Sequence, residues 1–274
     1  MPDSLILRLL IYIVIGYVVV VGLLALFQNS MIFIPSSTMI DSPDRLGVEW
    51  SDHYIDTGDG EHIHGWMLHN RNAKHTVVFS HGNAGNISGR IDVAKMIFDR
   101  GASVFLYDYR GYGKSDGSPS EKKLMNDAVR VVEYLENEQG ISPGSMIFYG
   151  RSLGGPVAAK KAAEFGGAGL VLDSAFLNAK EVASDVYPFV PRFLVRLDFP
   201  ADKLIQQLDG TPVLILHSRQ DEIINFRHSE KLYELASEPK TFVELQGGHN
   251  NHHIVSSDLH RTAWDNFLRS LSDE

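Results

Sequence analysis

The chain has 274 residues, 44% of them hydrophobic, and a formal net charge of −9 at pH 7. That length allows one substantial core, since single α/β domains commonly reach about 250 residues without splitting. The acidic balance, with no basic stripe, excludes a protein that tracks nucleic-acid phosphates through clustered Lys and Arg. The absence of cysteine excludes disulfides, thiolate metal sites, a lipid-modified cysteine and a cysteine nucleophile.

The chain opens on residues 9–27, LLIYIVIGYVVVVGLLALF, a stretch without a charge. At about 1.5 Å per residue it covers roughly 28 Å, close to the hydrocarbon thickness of a bilayer. A membrane helix is the natural expectation. A cleaved signal peptide and a buried core helix are the alternatives; a signal peptide carries an apolar run of about 7 to 15 residues and a small-x-small cleavage site, and this run is longer and ends ALFQNS. Arg8 lies before the run and no Lys or Arg follows until Arg45, so the positive-inside rule sets the N-terminus in the cytoplasm and the bulk of the chain on the other side.

Residues 28–51 show no sustained period and contain Pro35, Ser36, Ser37, Ser42 and Pro43, as a linker does. The expected organisation is an anchor over 1–28, a linker and lead-in segment over 29–49, and one domain over 50–274. Within it, short β-rich runs recur at 63–68, 76–80, 103–107, 146–149, 170–172, 213–217 and 241–245, and helical spacing fills 121–138, 154–164, 229–236 and 257–271. Strand-helix alternation predicts an α/β fold, a mostly parallel sheet with helices on both faces. Functional groups in such sheets gather in loops beyond the carboxyl ends of the strands.

One of those loops reads Gly150-Arg151-Ser152-Leu153-Gly154, between an apolar run ending at Tyr149 and an alanine-rich helical stretch. G-x-S-x-G between strand and helix is the pattern of a nucleophile on a sharp turn: residues without Cβ two positions either side let strand and helix approach closely, and the turn lifts the Ser152 hydroxyl above the sheet. A plain glycine turn is the alternative. A serine hydroxyl needs a base to take its proton, and the base needs an acceptor to fix its tautomer. The run 213–217 leads into Asp221, and the run 241–245 leads through Gly247 and Gly248 into His249, which gives the expected order of acid, then histidine. Glu222 and Asp173 compete with Asp221; Glu222 reads as a solvated loop charge. His252 and His253 compete with His249, and they read better as the start of the last helix. H-x-x-H-H matches no helix-borne zinc motif.

Acyl transfer places negative charge on a carbonyl oxygen, which calls for two preorganised N–H donors. The amide of Leu153, at the start of a helix, is one. The other is expected from the glycine-containing turn His81-Gly-Asn-Ala-Gly-Asn86, and Asn83 is the residue named for it. That turn lacks the Lys and Ser/Thr spacing of a phosphate cradle. Gly111-Tyr-Gly113 belongs to Asp108-Tyr-Arg-Gly-Tyr-Gly-Lys-Ser115, a turn after the next strand rather than a dinucleotide fingerprint.

Taken together, SHGNAGN, DYRGYGKSDG, YGRSLGG, the strand running into Asp221, and GGHNN resemble the α/β-hydrolase superfamily, and more narrowly the membrane-anchored α/β-hydrolase-domain proteins grouped with serine aminopeptidase-like hydrolases. The resemblance covers roughly residues 50–271. It implies an eight-stranded sheet and a triad of Ser152, Asp221 and His249, with an oxyanion hole from Asn83 and Leu153 and no metal or organic cofactor. Relatives insert a lid where this chain has residues 174–210, a short segment holding Phe176, Tyr187, Pro188, Phe189, Pro191 and Phe193. A short lid implies a relatively open site, and its aromatics either line an acyl pocket or pack the helices to the sheet. The expected function is a serine hydrolase cleaving an ester, thioester or amide, carboxylesterase-like on a small, lipid-like or membrane-borne acyl substrate. A serine peptidase and a non-catalytic, membrane-tethered binding module are the alternatives.

Overall fold

The computed structural model describes residues 2–271. Its first helix, α1 (Pro2–Leu26), continues after a break at Phe27 as a short turn of helix, α2 (Gln28–Ile32). Leu5–Leu26 is long and apolar enough to cross a membrane. Most of its side chains face outward, as they would toward lipid; Val21 is buried, and Leu24 and Ala25 are half-buried.

The domain is built on one eight-stranded sheet. Its strands are β1 (Trp50–Asp56), β2 (His62–Leu68), β3 (Thr76–Ser80), β4 (Ser103–Tyr107), β5 (Met146–Arg151), β6 (Gly169–Asp173), β7 (Val213–Ser218) and β8 (Lys240–Leu245). They lie in the order β8-β7-β6-β5-β3-β4-β2-β1. β1 and β2 are antiparallel and form one edge; β4, β3 and β5 to β8 are parallel. The central strands read as continuous apolar runs because helices cover both faces, and all five residues of β3 are buried. On one face pack α4 (Glu121–Asn137), α5 (Gly154–Phe165) and the shorter α6 (Ala179–Val186), α7 (Ala201–Ile205) and α8 (Arg227–Leu235), on the other α3 (Ile91–Phe98) and α10 (Ser257–Ser270), each face closing its own apolar cluster.

Sequence pattern explains most of this. In α4 the buried residues Leu124, Ala128, Val131, Val132 and Leu135 fall on one helical stripe, and Ser120 caps the first turn by accepting from the Lys123 N–H at 3.3 Å. α10 buries His260, Ala263, Trp264 and Phe267 at the same spacing. Several elements escaped the sequence reading, α3 and β1 among them. α3 is only eight residues long, and β1 is an edge strand whose burial follows no apolar run.

The stretch expected as a linker is not a free tether. Phe33 is buried, Ile34–Pro35 pairs in parallel with Ala84–Gly85, and the Ile34 N–H donates to the Asn83 carbonyl at 3.2 Å. Asn86 Nδ2 donates to the Ser36 and Thr38 carbonyls. The segment looked like a linker because its order comes from pairing with a loop far along the chain rather than from its own period.

Candidate active site

Ser152 sits between β5 and α5 with φ +51°, a left-handed conformation that costs a residue with a side chain about a kilocalorie or more per mole and persists only where the surroundings impose it. The glycines around it show how. A Cβ on Gly154 would meet the Ser80 carbonyl oxygen at 1.9 Å, and one on Gly150 would meet the Gly154 carbonyl oxygen at 2.2 Å. The strand, the turn and β3 therefore touch backbone to backbone. The Ser152 N–H donates to the Asp173 carbonyl at 2.9 Å, which holds the turn against β6.

The structure brings Asp221 and His249 together. The His249 Nδ1–H donates to Asp221 Oδ2 at 2.7 Å, both side chains being buried. The other oxygen, Oδ1, accepts from the Ile223 and Ile224 N–H groups at 2.9 and 2.8 Å. A second imidazole, His217, addresses Asp221 Oδ2 from below at 3.1 Å and takes a 2.7 Å contact with Ser229 Oγ at its far nitrogen. Burial would raise the Asp221 pKa, but the His217 and His249 hydrogen bonds outweigh it and hold the carboxyl well below its ordinary value. His249 Nε2 is left for a partner. Ser152 Oγ makes no side-chain hydrogen bond among the described residues. Arg151, buried beside the serine, links the two loops by donating to the His249 carbonyl at 2.7 Å.

The rivals fall into other roles. Glu222, read from the sequence as a solvated loop charge, accepts the His249 N–H at 3.0 Å and so fixes the backbone of that loop. Asp173 faces away from Ser152 into a buried cluster, with His252 Nε2 at 2.7 Å, Tyr149 OH donating at 2.6 Å and His260 nearby. His252 and His253 begin α9 (His252–Val255), a single turn before α10. Burial and the Arg151 charge push the His253 pKa down to about 4, so this imidazole is neutral at physiological pH. Asp173, His252 and His260 could together hold a cation, their candidate ligand atoms lying within 4.8 Å of one another. The sequence hid this carboxylate because it comes from a strand 79 positions before His252. The site has a simpler chemistry, however: burial depresses the His252 pKa, but the Asp173 charge overrides it and raises the pKa above the ordinary value, which describes an imidazolium-carboxylate pair.

The turn after β3 runs alongside the serine: a Cβ on Gly82 would sit 3.6 Å from Ser152 Cβ. Asn83 and Leu153 both line the cavity next to Ser152. The Asn83 side chain points away and donates to the Ile32 carbonyl at 3.1 Å, and its own carbonyl accepts from Tyr112 OH at 2.7 Å. Tyr109 OH similarly holds the His81 carbonyl at 2.7 Å. The DYRGYG segment, read as a plain turn, is thus the support of the 81–86 loop. Below it Arg110 makes a forked bond to Asp127, its nitrogens 2.8 to 3.1 Å from the carboxylate, and reaches Asp59 and Glu61 at 2.5 and 2.6 Å.

Ser152 opens on a cavity of about 280 Å³. Its walls are apolar except for Gln28, Asn83, Tyr187 and the serine, and among the described residues no charged one lines it. From the 174–210 segment, Phe176 and Tyr187 line it, while Phe189 and Phe193 point outward. Phe176 and Tyr187 thus take the pocket-lining role, Phe176 also packing in the core, and the outward-facing Phe189 and Phe193 take neither of the roles expected of these aromatics. The opposite wall was not foreseen: Leu24, Gln28, Met31 and Ile32, from the end of α1 and from α2.

The sequence profile of the family described as serine aminopeptidase, S33, matches residues 71–208. The uncharacterized protein YfhR of Salmonella typhi is 34% identical over 234 residues, covering 77% of this chain and 79% of that one. The uncharacterized membrane protein YNL320W of Saccharomyces cerevisiae is 34% identical over 238 residues, 82% and 84% of the two chains. Among solved structures, the Pyrococcus furiosus esterase Pf2001 superposes with a TM-score of 0.73 at 19% identity, over 86% of this chain and 98% of that one, a likeness of fold. The matched core spans the elbow serine and its supports, and this chain therefore belongs to the serine aminopeptidase S33 family of α/β hydrolases.

Proposed function

We propose that this hydrolase acts through an acyl-Ser152 intermediate and that its substrate is an ester of lipid-like or membrane-borne character. The observation that carries the reading is the position of Ser152: a strained serine lining an apolar cavity, next in sequence to Arg151, which bonds the loop where His249 is oriented by Asp221. Ser152 Oγ would attack the substrate carbonyl while His249 Nε2 takes its proton. The N–H groups of Leu153 and Asn83 would hold the oxyanion, in a cavity where few polar groups compete. Collapse of the tetrahedral species would expel the alcohol, thiol or amine with the proton returned by His249, and water would release the acid by the same steps. No step calls for a metal or an organic cofactor.

A peptidase that recognises a free amino terminus needs an acidic group near the nucleophile to bind the ammonium, and the cavity lining has none. That favours the ester over the amide. The topology proposed is an N-terminus in the cytoplasm and the catalytic domain on the opposite side, following Arg8; a C-terminal reporter active only outside the cytoplasm tests it.

The experiment on chemistry uses the full-length protein in detergent micelles. A fluorophosphonate probe should label the wild type and fail to label Ser152→Ala, and His249→Ala should slow labelling by about a thousandfold or more. Labelling that survives Ser152→Ala, or no labelling of the wild type, would refute the acyl-serine reading and leave the binding-module alternative.

A further inference from the structure

The cavity in front of Ser152 is not closed by the domain alone. Leu24, Gln28, Met31 and Ile32 form one side and Val186 and Leu194 stand on the other, so the slot lies between the membrane helix and the 174–210 segment. The two sides are pinned together. Gln28 Nε2 donates to the Ala25 and Leu194 carbonyls at 2.9 and 2.7 Å, its Oε1 accepts the Arg196 N–H at 2.8 Å, and Arg196 Nη2 donates to the Ala25 carbonyl at 2.8 Å.

A further bond lies deeper. Tyr17 OH donates to the Phe189 carbonyl at 2.8 Å. Tyr17 is nine positions before the end of α1, about 14 Å down the helix at its ordinary rise. At that depth in a bilayer no water is at hand to satisfy either group, and each satisfies the other. The tip around Phe189 also presents apolar side chains outward: Val186 is 51% exposed, Phe189 50% and Phe193 82%. Arg192, between them, is paired with Glu181. Joined to the helix through the Tyr17 bond, this group is continuous with the apolar face of the membrane helix, as exposed apolar patches at membrane-binding sites are.

We propose that the tip of this segment lies in the bilayer beside the helix, that the helix end is a wall of the acyl site, and that the acyl chain of a membrane lipid ester slides between the two to Ser152 without entering water. The proposal rests on the acyl-serine reading above for its chemistry; the position of the tip stands on geometry alone. At about 30 Å³ for a water-sized group, which a methylene resembles in bulk, the cavity holds a chain of roughly nine. The ester of one such chain fits, with the remainder of the lipid left in the membrane.

The test has a positional and a kinetic arm, both on the full-length protein in phosphatidylcholine vesicles. Phe193→Trp should give tryptophan fluorescence that lipids brominated in the acyl chain quench beyond the wild-type level. A tryptophan at 193 that these lipids leave unquenched overturns the proposal. Phe193→Asp, a change outside the cavity lining, should slow hydrolysis of a vesicle-borne monodecanoylglycerol at least tenfold and change that of soluble p-nitrophenyl acetate less than twofold. Met31→Trp, which narrows the helix wall, should lower the ratio of decanoyl to acetyl ester kcat/KM about tenfold. Equal changes on both substrates in these two variants overturn the route of access. If the probe fails to label Ser152, the acyl-serine reading falls instead, and quenching at 193 still decides where the tip lies.

Discussion

A positive φ at Ser152 concentrates the demands of the site into a few atoms, and the neighbouring glycines carry most of them. Gly154→Ala would drive a methyl into the Ser80 carbonyl, an atom of the sheet backbone that cannot swing aside. Overpacking of this kind typically costs 1 to 3 kcal/mol and often more when backbone must move. We expect Gly154→Ala to lower the thermal midpoint by several degrees or abolish folding, measured by differential scanning fluorimetry. Retention of wild-type stability would mean that the turn is looser than its contacts indicate. At this scale the sequence was most informative. G-x-S-x-G states its steric reason in its own spelling, and Asp221 and His249 stand directly after strand ends. His217 and Glu222 were not legible in the same way. His217 matters because a strand end places it under Asp221, and Glu222 because its carboxylate reaches a backbone N–H 27 positions on, and neither relation leaves a local signal.

Two elements act on the site without touching a reacting atom. The DYRGYG turn holds the 81–86 loop through the Tyr109 and Tyr112 hydroxyls. Removing one partner of a buried hydrogen bond costs about 1 to 3 kcal/mol. Tyr112→Phe should therefore lower kcat on a short ester about tenfold with KM little changed, because the loss would be expressed where the Asn83 amide is proposed to hold the oxyanion. An unaltered kcat would separate this loop from the oxyanion. The second element is α9, fastened through His252 to Asp173. The folded pKa of His252 is raised, so its contribution to stability is complete below its ordinary value of 6.5 and declines as the pH rises through the higher folded value. Asp173 behaves oppositely: its depressed pKa makes its contribution complete above 3.8, lost only as the pH falls well below that. The stability gap between wild type and His252→Gln should thus be widest near pH 5 to 6 and narrow toward pH 9, as read from thermal melts across that range. A gap independent of pH would mean that His252 is neutral in the folded protein. Sequence periodicity found α10, and His252 and His253, expected to begin that last helix, begin the separate turn α9 instead; the pairing with β6 is a tertiary fact with no counterpart in spacing.

For the molecule as a whole, strand-helix alternation was enough to announce an α/β sheet, and the family resemblance supplied the count of eight strands that the apolar runs alone left one short. The N-terminal helix was legible as an anchor by length and apolarity. Its second role was not, because a residue such as Gln28 reads as the first polar position after a span, while in the fold its amide bridges Leu194 and Arg196. Gln28→Ala should loosen the 174–210 segment from the helix, and trypsin should then cut after Arg192 or Arg196 several times faster than in the wild type under native conditions. Unchanged cleavage would show that the segment is held by its other contacts.

The pairing of Ile34–Pro35 with Ala84–Gly85 gives this arrangement a last consequence. The span, the cavity wall and the loop carrying Asn83 form one continuous piece of the chain's framework, so the span is not an interchangeable address label. A chimera that borrows another protein's apolar helix up to residue 23 would keep the Gln28 bridge to Leu194 and Arg196 and lose the Tyr17 bond to the Phe189 carbonyl. One that extends the borrowed stretch through Ile32 would reach the membrane just as well and arrive there with its active site missing a side.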